Sequence, residues 1–245
     1  MLFILCVVFL PAECFAMTRV DPNLQGWTKE SAAKASDGEQ TLTIQITYYA
    51  SEYVEALVQS QAEKNLWTND EMENYKYSLL KTINFNETIP FHISMYVEGV
   101  PMYAQPFDKH IYMMIGRKKY VPVDYDKMFN FKILGAREGM VFFPRYDPET
   151  GKDVLEKARD IRVILDGSIG YATAGRGDIT WVWDITRDRG KVFTGTAANR
   201  LEVDRLLKRI EKINSDRKKL QTELEALDNE YNTISTRIDE LQTSD

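Results

Sequence analysis

The strongest constraint on this chain is an apolar stripe of seven-residue period near its C-terminal end. With Val203 as heptad position a, apolar residues follow at alternating steps of three and four: Leu206, Ile210, Ile213, then Leu220, Leu224, Leu227, Tyr231, Ile234, Ile238 and Leu241. Arg217 alone interrupts the series. A repeat of 3.5 residues keeps one narrow helix face turned toward a neighbour along its whole length, which is what a coiled coil requires. The pattern predicts a single helix over residues 197–243, and its length is about 70 Å at 1.5 Å per residue. Such a helix outruns the width of a globular domain of this size, and a helix lying on a core carries a broader stripe. The tail is therefore expected to pair with a helix from a second copy of the chain or from a different helical protein.

Charge along the tail is polarised. Leu201 to Thr222 holds seven basic and four acidic residues, whereas Glu223 to Asp245 holds one basic and seven acidic. Laid head to tail, the basic half meets the acidic half. The flanking g positions (Arg209, Asp216, Glu223, Glu230 and Arg237) do not repeat that preference. Full antiparallel overlap sets Arg209 near Arg237 and Asp216 near Glu230, while a parallel pair sets Glu223 near Asp228. These edges specify neither self-pairing well, which leaves a different protein open as the partner. A charge within the seam lowers stability and is expected to fix register, so Arg217 joins the apolar positions as an association residue.

The other end of the chain points to export. Leu2 to Leu10 is an unbroken apolar run, Pro11 ends it, and Cys14-Phe15-Ala16 places small residues where a signal peptidase reads. The run is too short to span a bilayer, so residues 1–16 read as a signal peptide and not as a transmembrane helix, although no Lys or Arg precedes it. Cys6 and Cys14, the only cysteines, both fall inside it, so the mature chain is expected to have neither a disulfide framework nor a thiolate metal site. A cysteine-free exported domain suits the periplasm or the outside of a bacterial envelope. The net charge of −6 argues against nucleic acid as a partner and against an anionic lipid surface.

Between the two ends, residues 17–40 are polar and rich in small side chains and read as a flexible lead-in. Period-two alternation then begins with Leu42, Ile44, Ile46 and Tyr48 and returns with Ile89, Phe91, Ile93, Met95 and Val97. Further strand signals are centred on residues 111–115, 120–123, 129–133, 140–143, 161–165 and 179–185. Between the first two strands, at about 51–82, helical spacing (Val54, Leu57, Val58) and a Thr68–Glu71 capping box predict two short helices. Short strands separated by Gly and Pro turns suggest a mainly β fold over 41–194, a sandwich with a two-helix insertion, followed by the coiled-coil helix.

Chemistry-bearing constellations are sparse. His92 and His110 have no second ligand at metal spacing, no G-x-S-x-G elbow is present, and the acids of Asp147-Pro148-Glu149-Thr150-Gly151-Lys152-Asp153 read as a turn. Arg176-Gly177-Asp178 lies in a glycine-rich turn. Trp181 and Trp183 share a strand face with Ile179 and Ile185, which reads as core, with a flat sugar-binding platform as the alternative. No cofactor is expected. The sequence thus suggests an exported, non-enzymatic structural protein that associates through its tail, with a carbohydrate- or peptidoglycan-binding module as the rival reading.

Overall fold

Alternating apolar residues in the central part of the chain must turn one face inward, and in the computed structural model they do so in two antiparallel sheets. The structure describes residues 26–186 and 195–242. The expected signal peptide and its two cysteines lie outside the described residues, as does the first part of the lead-in.

The described chain forms two compact units, one from residues 26–66 and 87–186, the other from 67–86 and 195–242. In the first unit, one sheet has the order β1 (Thr28–Lys34), β2 (Gln40–Tyr48), β3 (Thr88–Tyr103), β7 (Lys132–Pro144), β6 (Asp124–Tyr125). The other has the order β5 (Lys118–Tyr120), β4 (Ile111–Ile115), β8 (Asp160–Leu165), β9 (Ile179–Asp184). Helix α1 (Ser51–Asn65) belongs to this unit as well.

Leu42, Ile44, Ile46 and Tyr48 of β2 and Ile89 to Val97 of β3 bury alternate side chains, as the period-two pattern predicts. They join Ile111, Met113, Ile161, Val163, Trp181 and Trp183 of the second sheet in one buried cluster. Tyr48 and Phe91 stack at 5.1 Å between ring centroids, and Phe91 meets Phe143 edge-on at 5.7 Å, arrangements that ring quadrupoles favour.

Three elements depart from the sequence reading. Residues 28–34, expected within a flexible lead-in, form β1 in register with β2 from Thr28↔Thr47 to Lys34↔Thr41. Only Ala33 of that strand is buried, so backbone pairing holds it, and its polar side chains suit the edge of a sheet. Residues 129–133 and 140–143 do not make separate strands: β7 runs unbroken from Lys132 to Pro144, through a polar middle that hides the alternation. A bulge opposite it, between Val97 and Met102 of β3, absorbs the mismatch. The strand expected at 120–123 lies instead at Lys118–Tyr120 (β5), with Gly116 and Arg117 as the turn between Ile115 and Lys118.

The second unit pairs α2 (Asn69–Thr82) with the long α3 (Thr196–Gln242). The capping box forms as predicted: the Glu71 amide donates to Thr68 Oγ1 at 3.4 Å, and the Thr68 amide donates to Glu71 Oε2 at 2.8 Å. Among the described residues no helix is long and apolar enough to cross a membrane.

Candidate association surface

Helix α3 contains neither Gly nor Pro over its 47 residues and is rich in Leu, Glu, Lys and Arg, the strong helix formers. Its first turn must find partners for amides that lack an intrahelical acceptor. Glu73 of α2 supplies one, accepting from the Ala197 amide at 2.9 Å and placing a carboxylate at the positive end of the helix dipole. One turn further on, the Tyr77 hydroxyl donates to Asp204 Oδ2 at 2.7 Å, and Lys81 Nζ stands 3.6 Å from the same oxygen. Arg200 donates to Asn74 Oδ1 at 3.1 Å and lies over the Tyr77 ring at 4.2 Å. The Tyr77 hydrogen bond, reinforced by Lys81, holds the Asp204 carboxyl below its ordinary range.

The register of these contacts leaves the seam open. Ala197, Arg200, Leu201 and Asp204, which meet α2 or are buried near it, fall at heptad positions e, f and b, away from a and d. From Val203 to Leu241 every apolar seam residue is exposed, from 44% at Ile213 to 73% at Tyr231. Arg217 is exposed among them. Leu207, at an e position outside the predicted set, is 54% exposed and widens the stripe at its start; the Leu206-Leu207 doublet is its sequence signal. A continuous apolar stripe of this length is far from the scattered exposure normal on a soluble surface, and such patches mark interaction sites.

The tryptophans do not make a platform. Trp181 and Trp183 are 4% and 2% exposed, because alternation on β9 turns them inward while Thr180, Val182 and Asp184 face outward. The Trp183 ring nitrogen is engaged, donating to the Trp27 carbonyl at 2.9 Å. An open hollow of about 390 Å³ borders Trp183, with Trp27, Lys29, Glu52, Val182 and Asp184 on its wall, a mixed polar and apolar lining.

Other polar groups are engaged within the fold. Asp147 accepts from Lys118 Nζ at 2.6 Å, from the Tyr120 hydroxyl at 3.2 Å, and from the amides of Glu149 and Thr150 at 2.9 and 3.1 Å. The Lys118 ammonium pulls its carboxyl far below the usual carboxylate range. Asp153 accepts from Arg145 Nε at 2.9 Å, so the acids of this turn serve the turn itself. Asp178 accepts from the Gly167 amide at 3.1 Å and the Tyr112 hydroxyl at 3.4 Å, which gives the Arg-Gly-Asp carboxylate a turn-closing role. His92 lies 3.8 Å from Glu138, and burial lowers its pKa against the pull of that acid. His110 meets Ser168 Oγ at 3.5 Å. Among the described residues no cluster of His, Cys, Asp and Glu is arranged to hold a metal ion.

No protein-family model matches the chain, and comparison with curated proteins and with solved structures gives no significant match.

Proposed function

We propose that the protein is an exported structural or adaptor protein that associates through the a and d positions of α3, forming a coiled coil. The first unit, its two sheets folded as a sandwich, is the part so tethered. The observation that carries this reading is the exposed seam itself. Large apolar side chains repeat every three and four residues over 203–241, and the contacts with α2 fall on other faces of the helix. Burying such a side chain yields roughly 1.5–3 kcal/mol relative to leaving it in water, so eleven of them along one face, broken only by Arg217, favour a partner strongly. Export is supported by the apolar run before Pro11 and by the confinement of both cysteines to residues 1–16. With Trp181 and Trp183 buried, these two residues lend no support to the rival reading of a carbohydrate- or peptidoglycan-binding module.

Light scattering on the secreted full-length product over a hundred-fold dilution series tests association. The native chain should exceed its monomer mass, and a Leu220→Ser, Leu224→Ser, Leu227→Ser variant should be monomeric with its sheets intact. Intact-mass analysis of the same sample should give a chain beginning at Met17. A native chain that is monomeric throughout and takes up no helical partner overturns the association reading, and an uncleaved intracellular product overturns export.

A further inference from the structure

We infer that the occupant of the seam is a second copy of this chain, bound antiparallel and in full overlap, with Arg217 as the residue that sets the direction. This rests on the reading of α3 as an association helix.

In a two-stranded antiparallel pair, each a position faces a d position of the other helix. Over 203–241 the facing layers become Val203 with Leu241, Leu206 with Ile238, Ile210 with Ile234, Ile213 with Tyr231, Arg217 with Leu227, and Leu220 with Leu224 of the second copy. Every apolar seam residue except Leu227, which faces Arg217, then has an apolar residue opposite it. Glu223 and Glu230 stand four residues before and three residues after Leu227, one helical turn to either side of the point that Arg217 reaches. The guanidinium is therefore flanked by two carboxylates of the opposite helix, and the two Arg217 side chains lie about 15 Å apart along the axis at 1.5 Å per residue. Parallel pairing in register places Arg217 against Arg217 in a desolvated layer, where like charges are most costly.

Charge at larger scale agrees. Antiparallel overlap lays the basic segment 201–222 on the acidic segment 223–245 of the second copy along both halves of the pair. At the edges, Asp216 falls near Glu230 and Glu223 near Glu223 of the second copy, both beside the Arg217 charges, which offset their repulsion. Arg209 falls near Arg237 at an exposed edge, where salt screens the pair. The e positions meet as Leu207 with Ser235 and Asn214 with Asp228, without like charges. Parallel pairing offers one repulsive edge contact, Glu223 with Asp228, and no opposite-charge contact to balance it.

The size of the surface fits as well. The seam residues are about half exposed, and covering them on both helices removes on the order of 1,500 Å² from water, within the range of stable, specific interfaces.

Pulsed electron–electron dipolar spectroscopy tests the direction. Spin labels are placed singly at Thr222→Cys and at Thr236→Cys, both exposed and at heptad position f, in the full chain carrying Cys6→Ser and Cys14→Ser. Residue 222 is the midpoint of the overlap, so its labels should show a short distance set only by the width of the pair. At 236 the antiparallel pair adds about 42 Å of axial separation at 1.5 Å per residue. Short at 222 and long at 236 is the expected result. Short at both sites means a parallel pair: it overturns this inference and leaves the association reading standing. An absence of intermolecular coupling at both sites up to the highest soluble concentration overturns self-pairing altogether and leaves α3 to a different partner.

Discussion

A single glutamine shows how much one side chain can hold in this fold. Gln40 is 1% exposed, and its amide nitrogen donates to the Val100 carbonyl at 2.6 Å while its oxygen accepts from the Ala172 amide at 2.7 Å. It thereby ties the start of β2 to the β3 bulge and to the turn after residue 170. The turn is crowded: a Cβ on Gly170 would come within 2.8 Å of Met102 Sδ. A buried amide stripped of its acceptor loses its desolvation energy outright. Gln40→Leu keeps the volume and removes both bonds, and should destabilise the first unit by about 2 kcal/mol, read as a lower urea midpoint at unchanged m-value. None of this is legible in the sequence, where Gln40 closes a polar stretch between Glu39 and Thr41. Its importance depends on partners at 100 and 172, which no local pattern connects to it.

Elements were legible where their stabilising contacts are close in sequence. The capping box of α2 needs only Thr68 and Glu71, three residues apart, and the length of α3 follows from its own periodicity. β1 was not legible, because its pairing with β2 uses backbone groups that every residue carries. Equally hidden was the α2–α3 junction, since Tyr77 and Asp204 lie 127 positions apart. That junction should respond to acid. The Tyr77 hydrogen bond holds the Asp204 carboxyl below the ordinary aspartate range in the folded state, so its contribution is fully present above the unfolded value and disappears as pH falls through the folded one. Protection of the amides of residues 200–208 from hydrogen exchange, corrected for intrinsic rates, should therefore drop as pH falls below about 4. Asp204→Asn should show the reduced protection already at neutral pH and lack the acid step. An unchanged acid step in that variant would assign the transition to other carboxylates.

At the scale of the molecule, two kinds of order meet in one chain. The sheets of the first unit bury their apolar residues within the chain, whereas α3 leaves its own uncovered. Association through α3, as proposed, would make the stability of that helix depend on protein concentration, with about 1.4 kcal/mol gained per tenfold increase for a dimer. The thermal midpoint of the helical circular-dichroism signal should rise with concentration in the native chain and stay fixed in the Leu220→Ser, Leu224→Ser, Leu227→Ser variant. A native midpoint indifferent to concentration would mean that α3 stands alone. The spacing of the seam has one more consequence, which concerns length. Seven added residues return each later side chain to its original bearing about 10 Å further along the axis, whereas three or four rotate everything beyond them out of line. For a helix that pairs as proposed, reach is therefore quantised: its length can change only in whole heptads, like a ruler cut only at its marks.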